Sequence, residues 1–130
     1  MSEENVELAR EYIETFNAHG LDAAEEMWHP DIELIDPPDL PDADRHTGKA
    51  ALRAQVASYL SFGWDGQFRS PEYVDGEEEV VVTWQGHGGP QGLHMDVTVA
   101  QVFLFEEGKI RRIRQFLGRA EALEAAGLSE

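Results

Sequence analysis

The chain predicts an α+β fold, with helices gathered on one face of a curved, mostly antiparallel sheet. Three observations carry this. Through the first sixty residues, apolar side chains recur at steps of three and four, the period of helices that bury one stripe. From Phe68 onward they alternate, the period of strands with a buried face. Within that second half, Asp75-Gly76 and Glu106-Glu107-Gly108 are turn sequences that fold neighbouring strands into hairpins. Helices first and hairpin-linked strands afterwards is an α+β order, not the alternation of βαβ units.

The elements follow in turn. Ser2 to Ala18 reads as a helix capped by Ser2, with Glu3 and Glu4 complementing the dipole of its first turn. Val6, Ala9, Ile13 and Phe16 form its apolar face, Tyr12 lies at the edge of that face, and Gly20 is a left-handed stop. Asp22 to Trp28 reads as a second, short helix broken by His29-Pro30. Ile32 to Asp36 is the first strand, and the proline- and aspartate-rich run from Pro37 to Asp44 is a surface loop. Thr47 caps a third helix with its body from Ala50 to Leu60 and an apolar face of Ala51, Leu52, Val56, Tyr59 and Leu60; Ser61 to Gly66 is a turn. Phe68 to Val74 is a strand whose Pro71 assigns it to an edge or a bulge. Glu79 to His87, Leu93 to Phe105 and Lys109 to Leu117 are three further strands, with a glycine-rich connection from Gly86 to Gly92. Arg119 to Ala126 is a terminal helix closed by Gly127.

One domain spanning residues 1–130 is the natural count for this length. A hydrophobic share of 42% places the chain among globular rather than disordered sequences. Twenty-six acids against ten bases give a formal net charge of −16, a field that repels phosphate backbones and anionic lipid, so neither nucleic acid nor membrane is an expected partner. Without cysteine there is no disulfide and no thiolate metal site. The N-terminus lacks a basic-then-apolar signal pattern and no apolar run nears bilayer length, so a cytoplasmic location is expected.

Chemistry concentrates around Asp36. The strand-like run Ile32 to Asp36 delivers a carboxylate to the point where Pro37-Pro38 stops strand pairing. At the rim of an apolar pocket, such a carboxylate moves a proton from carbon beside a carbonyl and returns it elsewhere, given a donor for the developing oxyanion. That reaction needs neither metal nor cofactor, and His29, His46, His87 and His94 have no ligand spacing. Tyr12 is the candidate oxyanion donor. Gln101 interrupts the apolar stripe of Val97, Val99, Phe103 and Phe105, and Gln115 joins it from the next strand, beside Ile113. Arg112 and Arg114 take the opposite face, where acids of a neighbouring strand or of a partner subunit are their expected mates. Phe16, Trp28, Trp84, Val99 and Phe103 are the expected pocket walls, and His46 is a second polar group at the mouth. Each of these has a plainer alternative: Asp36 as a turn residue, Tyr12 as a core tyrosine, Gln101 as a structural amide.

The element order, with Tyr12-Ile13-Glu14-Thr15-Phe16-Asn17-Ala18 and then Leu21-Asp22, resembles the nuclear transport factor 2-like superfamily. Within it the chain is similar to the SnoaL-like group, which includes polyketide cyclases and lies close to ketosteroid isomerase. Further residues of the resemblance are His29-Pro30-Asp31, Asp36-Pro37-Pro38, Thr47-Gly48-Lys49, Glu107-Gly108-Lys109-Ile110 and Arg119-Ala120-Glu121-Ala122-Leu123. The resemblance implies a cone-shaped roll enclosing a pocket for a small hydrophobic ligand. It also implies a homodimer formed back to back through the outer sheet face, here Val81, Thr83, Thr98, Ala100, Val102 and Leu104. In ketosteroid isomerase an Asp base works with a Tyr and a protonated Asp. Asp36 and Tyr12 stand at the first two positions, and Gln101 stands at the third, where an amide donates a hydrogen bond but cannot be a protonated acid. The implied activity is isomerase, cyclase or dehydratase-like proton transfer; the alternatives are a binding module for a hydrophobic metabolite and a structural dimer with a filled core.

Overall fold

The computed structural model describes residues 2–89 and 95–128. The Ser2 side-chain cap and the expected strand start at Leu93 and His94 lie outside the described residues and atoms. In chain order the elements are α1 (Ser2–His19), α2 (Leu21–Ala24), a single 3-10 turn (Glu25–Met27), β1 (Trp28–Ile35), β2 (Arg45–Thr47), α3 (Lys49–Phe62), β3 (Arg69–Gly76), β4 (Glu79–Gly88), β5 (Met95–Glu106), β6 (Lys109–Phe116) and α4 (Arg119–Ala125). The strands form one sheet in the order β2-β1-β6-β5-β4-β3. All neighbours are antiparallel except β1 and β6, which run parallel. The class is α+β, as expected.

Where sequence and structure differ, a local cause is visible. The second helix stops at Met27, so Trp28 opens a strand instead of ending a helix. Pro30 sits inside β1 because pairing with β6 is interrupted between Trp28 and Glu33, and pairing with β2 starts only at Glu33, so its missing N–H costs no ladder bond. Thr47 is not a cap; it belongs to β2, and Gly48 takes the cap position of α3 with no side-chain cap bond. Pro71 lies on edge strand β3, where the register shifts between Arg69 and Glu72, as its chemistry requires.

The two faces of the sheet are covered separately. On the inner face, α1 buries Ala9, Tyr12, Ile13 and Phe16 against Trp28, Ile32, Val80, Val82, Trp84 and Phe103. Tyr12 is therefore central to the stripe, not at its edge. On the outer face, Val81, Ala100 and Val102 are fully buried beneath Ala122 and Leu123 of α4. Much of the outer apolar face is thus covered by the chain's own last helix. Below that helix, Glu79 of β4 receives Arg112 at 3.2 Å and Arg114 at 2.9 Å from β6, so the acid comes from the strand beyond the neighbouring one, across β5.

The glycine-rich stretch is also not the flexible connection expected throughout. Gly86 and Gly88 belong to β4, and Gly88 forms an antiparallel bridge with Trp64 just beyond α3. Asp65 N–H donates to the His87 carbonyl at 3.0 Å and Gly89 N–H to the Gly63 carbonyl at 3.3 Å. The end of α3 is thus laced, backbone to backbone, to the end of β4.

Candidate active site

Between α1, α3 and the inner sheet face lies a cavity of about 620 Å³. Its floor is aromatic. Tyr12, Trp28, Trp64, Phe68, Trp84 and Phe103 all reach it, with Phe68 and Trp84 rings 4.3 Å apart and Tyr12 and Phe103 5.8 Å apart. Helix α3 contributes Leu52, Val56 and Tyr59, and only Leu52 of its expected apolar face is fully buried. A helix can show this stripe because it roofs a hollow space instead of packing against a filled core. The mouth carries Leu40, Phe62, Met95, Val97 and Leu117, all among the exposed large hydrophobic side chains; Phe62 is 67% exposed.

Of the expected site residues, Tyr12, Trp28, Trp84, Val99, Gln101, Phe103 and Gln115 line the cavity. Phe16, Asp36 and His46 do not reach its wall. Phe16 is buried one layer back, stacked edge-on against Phe68 at 5.1 Å. Asp36 lies just past β1, next to Pro37 and two residues after Leu34, which are both in the wall.

His46 is directly opposite Leu34 in the β1–β2 pair, so its side chain shares the cavity-side face. Its Nε2 is 3.3 Å from Asp36 Oδ2, which also accepts the Asp44 N–H at 3.2 Å. An ionised carboxylate only accepts, so in this pair His46 carries its proton on Nε2. Asp36 Oδ1 makes no hydrogen bond among the described residues. The carboxylate is largely shielded, with its side chain 14% exposed.

Tyr12 is 3% exposed, and its hydroxyl accepts the Trp28 indole N–H at 3.3 Å. Burial pushes this phenol up from 10.0 to about 12, with the Trp28 bond pulling weakly the other way. It is therefore a protonated donor at any physiological pH. In the unfolded chain it ionises near 10, so the stability it supplies is intact below pH 10 and drains away as pH rises through about 12. Urea midpoints should show the wild type losing roughly 1 kcal/mol by pH 11 through this group. Tyr12→Phe should be weaker by about 1 kcal/mol at pH 7, from the unpaired Trp28 N–H, yet lose less than the wild type on alkalinisation. Parallel pH curves for the two proteins would remove Tyr12 as the titrating group.

Gln101 is buried and fully engaged: the Trp84 indole donates to its Oε1 at 2.8 Å, and its Nε2 donates to Gln115 Oε1 at 3.1 Å. Gln115 Nε2 reaches the Tyr59 hydroxyl at 3.3 Å, and Gln55 Nε2 reaches the same hydroxyl at 3.1 Å. Tyr59 was legible only as part of a helical stripe; its polar role depends on β6 lying under α3. Among the described residues no group of three His, Asp or Glu could hold a metal ion, and no helix is long and apolar enough to cross a membrane.

A family profile described as a SnoaL-like domain matches residues 9–113. No curated protein matches the chain. Several solved structures share the fold. An NTF2-like protein of unknown function from Burkholderia pseudomallei is 18% identical, with 93% of this chain and 95% of that one covered at a TM-score of 0.74. A proposed polyketide cyclase from Xanthomonas campestris pv. campestris is 19% identical, with 96% and 98% covered at 0.73. TerC, co-crystallised with polyporic acid, is 18% identical, with 95% and 98% covered at 0.71. At these identities the likeness is one of fold.

Proposed function

We propose that this chain, which belongs to the SnoaL-like domain family of the nuclear transport factor 2-like superfamily, binds a small hydrophobic molecule and catalyses cofactor-independent proton transfer on it. Asp36 is the base. Its Oδ1 takes a proton from carbon beside a carbonyl, His46 and the Asp44 N–H hold Oδ2, and the Tyr12 phenol meets the oxyanion that forms. Return of the proton to another carbon gives an isomerase; aldol-type closure or loss of a hydroxyl gives cyclase or dehydratase chemistry.

The observation that carries this reading is the pairing of a shielded carboxylate–imidazole couple with an aromatic cavity whose wall runs past it at Leu34 and Pro37. The folds shared with a proposed polyketide cyclase and with TerC, co-crystallised with polyporic acid, are in keeping with it. The test is a panel of enolisable aromatic ketones assayed for proton exchange or isomerisation. Asp36→Asn should lower kcat by about a hundredfold or more while ligand binding persists.

One observation favours a second reading, a binding module without turnover: Asp36 stands beside the wall, and both bonds to its Oδ2 are those of a residue tying a turn. Binding across the panel with no exchange in the wild type would select it.

A further inference from the structure

The chain of amides along the cavity has a fixed direction. An indole N–H only donates, so the Gln101 atom facing Trp84 is the oxygen. Gln101 must then turn its nitrogen toward Gln115, which accepts through oxygen and turns its own nitrogen toward Tyr59. The Tyr59 hydroxyl receives that N–H and the Gln55 N–H as well. Both of its lone pairs are thereby filled, and its proton has no acceptor among the described residues. Tyr59 lines the cavity, so that proton is available there. The Tyr12 hydroxyl accepts one N–H, from Trp28, and its own proton has no acceptor among the described residues. The wall contains no Lys, Arg, Asp or Glu side chain among the described residues, and its imidazole, His87, is engaged by Asp96 at 2.6 Å, so the aromatic floor favours a neutral ligand.

We infer that Tyr59 is a ligand-binding hydrogen-bond donor, held in that role by Trp84, Gln101 and Gln115, and that the cavity selects neutral hydrophobic molecules bearing a carbonyl oxygen. This rests on the reading of the cavity as a hydrophobic-ligand site and adds its specificity. Trp84, Gln101 and Gln115 are positioning residues: they do not act on the ligand, but set which way the Tyr59 proton faces. Alkenes of the same shape offer the two phenols no comparable acceptor, and aliphatic amines, protonated at neutral pH, have no lone pair to offer.

The test compares acetylnaphthalene with isopropenylnaphthalene, in which C=O becomes C=CH2, by equilibrium dialysis against the full chain. The quantity read is the affinity ratio of ketone to hydrocarbon. Tyr59→Phe should lower that ratio by about tenfold, the worth of one hydrogen bond, with hydrocarbon affinity unchanged. Gln101→Glu is the sharper variant. Its ionised carboxylate accepts from Trp84 and from a flipped Gln115, whose oxygen then captures the Tyr59 proton, so the ketone preference should vanish at neutral pH. As pH falls and the new carboxyl is protonated, it can donate to Gln115 as the amide did, and the preference should return. A filling or packing role for Gln101 would show no such recovery. Gln55→Met should leave the ratio unaltered; a rise would mean that Gln55 had been holding the Tyr59 proton and would overturn the inference. So would an unchanged ratio in Tyr59→Phe. If neither compound binds the wild type, the hydrophobic-ligand reading falls and takes this one with it. If both bind and Asp36→Asn removes turnover while Tyr59→Phe keeps the ratio, only the present inference falls.

Discussion

A single methyl group at Gly88 should cost on the order of 3–5 kcal/mol and loosen the cavity along one side. Gly88 has φ +138, outside the range of L side chains, and a Cβ there would stand 2.7 Å from the Gly63 carbonyl carbon and 2.9 Å from Trp64 Cα, after overlapping the Gly63 oxygen. Every atom in the way is backbone, so no rotamer change relieves it. Gly63 faces the same restriction from Gly89. To accept the methyl, the end of α3 must separate from β4, breaking the Trp64 bridge and the two hydrogen bonds beside it. Trp64, Gly86, Gly88 and Gly89 are cavity wall, so ligand affinity should fall together with the urea midpoint. Gly108→Ala is the control: it also has positive φ, at 76°, but no atom lies within 4 Å of its Cβ, and about 1 kcal/mol is expected. Equal losses at the two sites would mean that the seam yields easily.

Leu123→Asp should release α4 from the outer sheet face. Leu123 is 3% exposed and packs with Ala122 over Val81, Ala100 and Val102, each fully buried. Setting a carboxylate against Val81, Ala100 and Val102 and losing the leucine burial brings the cost to roughly 3–5 kcal/mol. For a domain of this size, the Tm should fall by about 10–20 °C. The freed face then becomes a sticky surface, and light scattering should report more self-association than in the wild type at the same concentration. A monomeric variant with a near-native Tm would mean that α4 contributes little to covering the sheet.

The sequence was most readable where structure is local. The stripe on α1 follows from spacing alone, and the β5–β6 hairpin from Glu107-Gly108, which takes the two positive φ values that such a turn requires. It was least readable where partners are remote. Strand β2 has three residues and exists because β1 is there to pair with it. Trp28 reads equally well as a helix end or a strand start until β6 is placed beside it. The same division holds at the site. Asp36, Tyr12 and Gln101 stood out as polar residues in apolar surroundings. The bonds that give them meaning do not stand out: His46 to Asp36 needs the β1–β2 register, and Gln101 to Gln115 needs the β5–β6 register. Tyr59 had no distinguishing mark, since a tyrosine on an apolar stripe is the same letter whether its hydroxyl ends in water or closes a relay.

The single parallel pair in the sheet has a consequence for how the chain comes to be folded. β1 is made well before its inner neighbour, β6, with four elements of the sheet and one helix between them in chain order. Until β6 arrives, β1 holds only the three-residue β2, while the β3–β4 and β4–β5 hairpins can already close on their own. The carboxylate at the end of β1 and the tyrosine of α1 therefore meet the finished cavity only once β6 has been made. A chain still lacking β6 would expose its aromatic floor, making the arrival of that strand the point at which a nascent chain passes from chaperone client to ligand-binding protein.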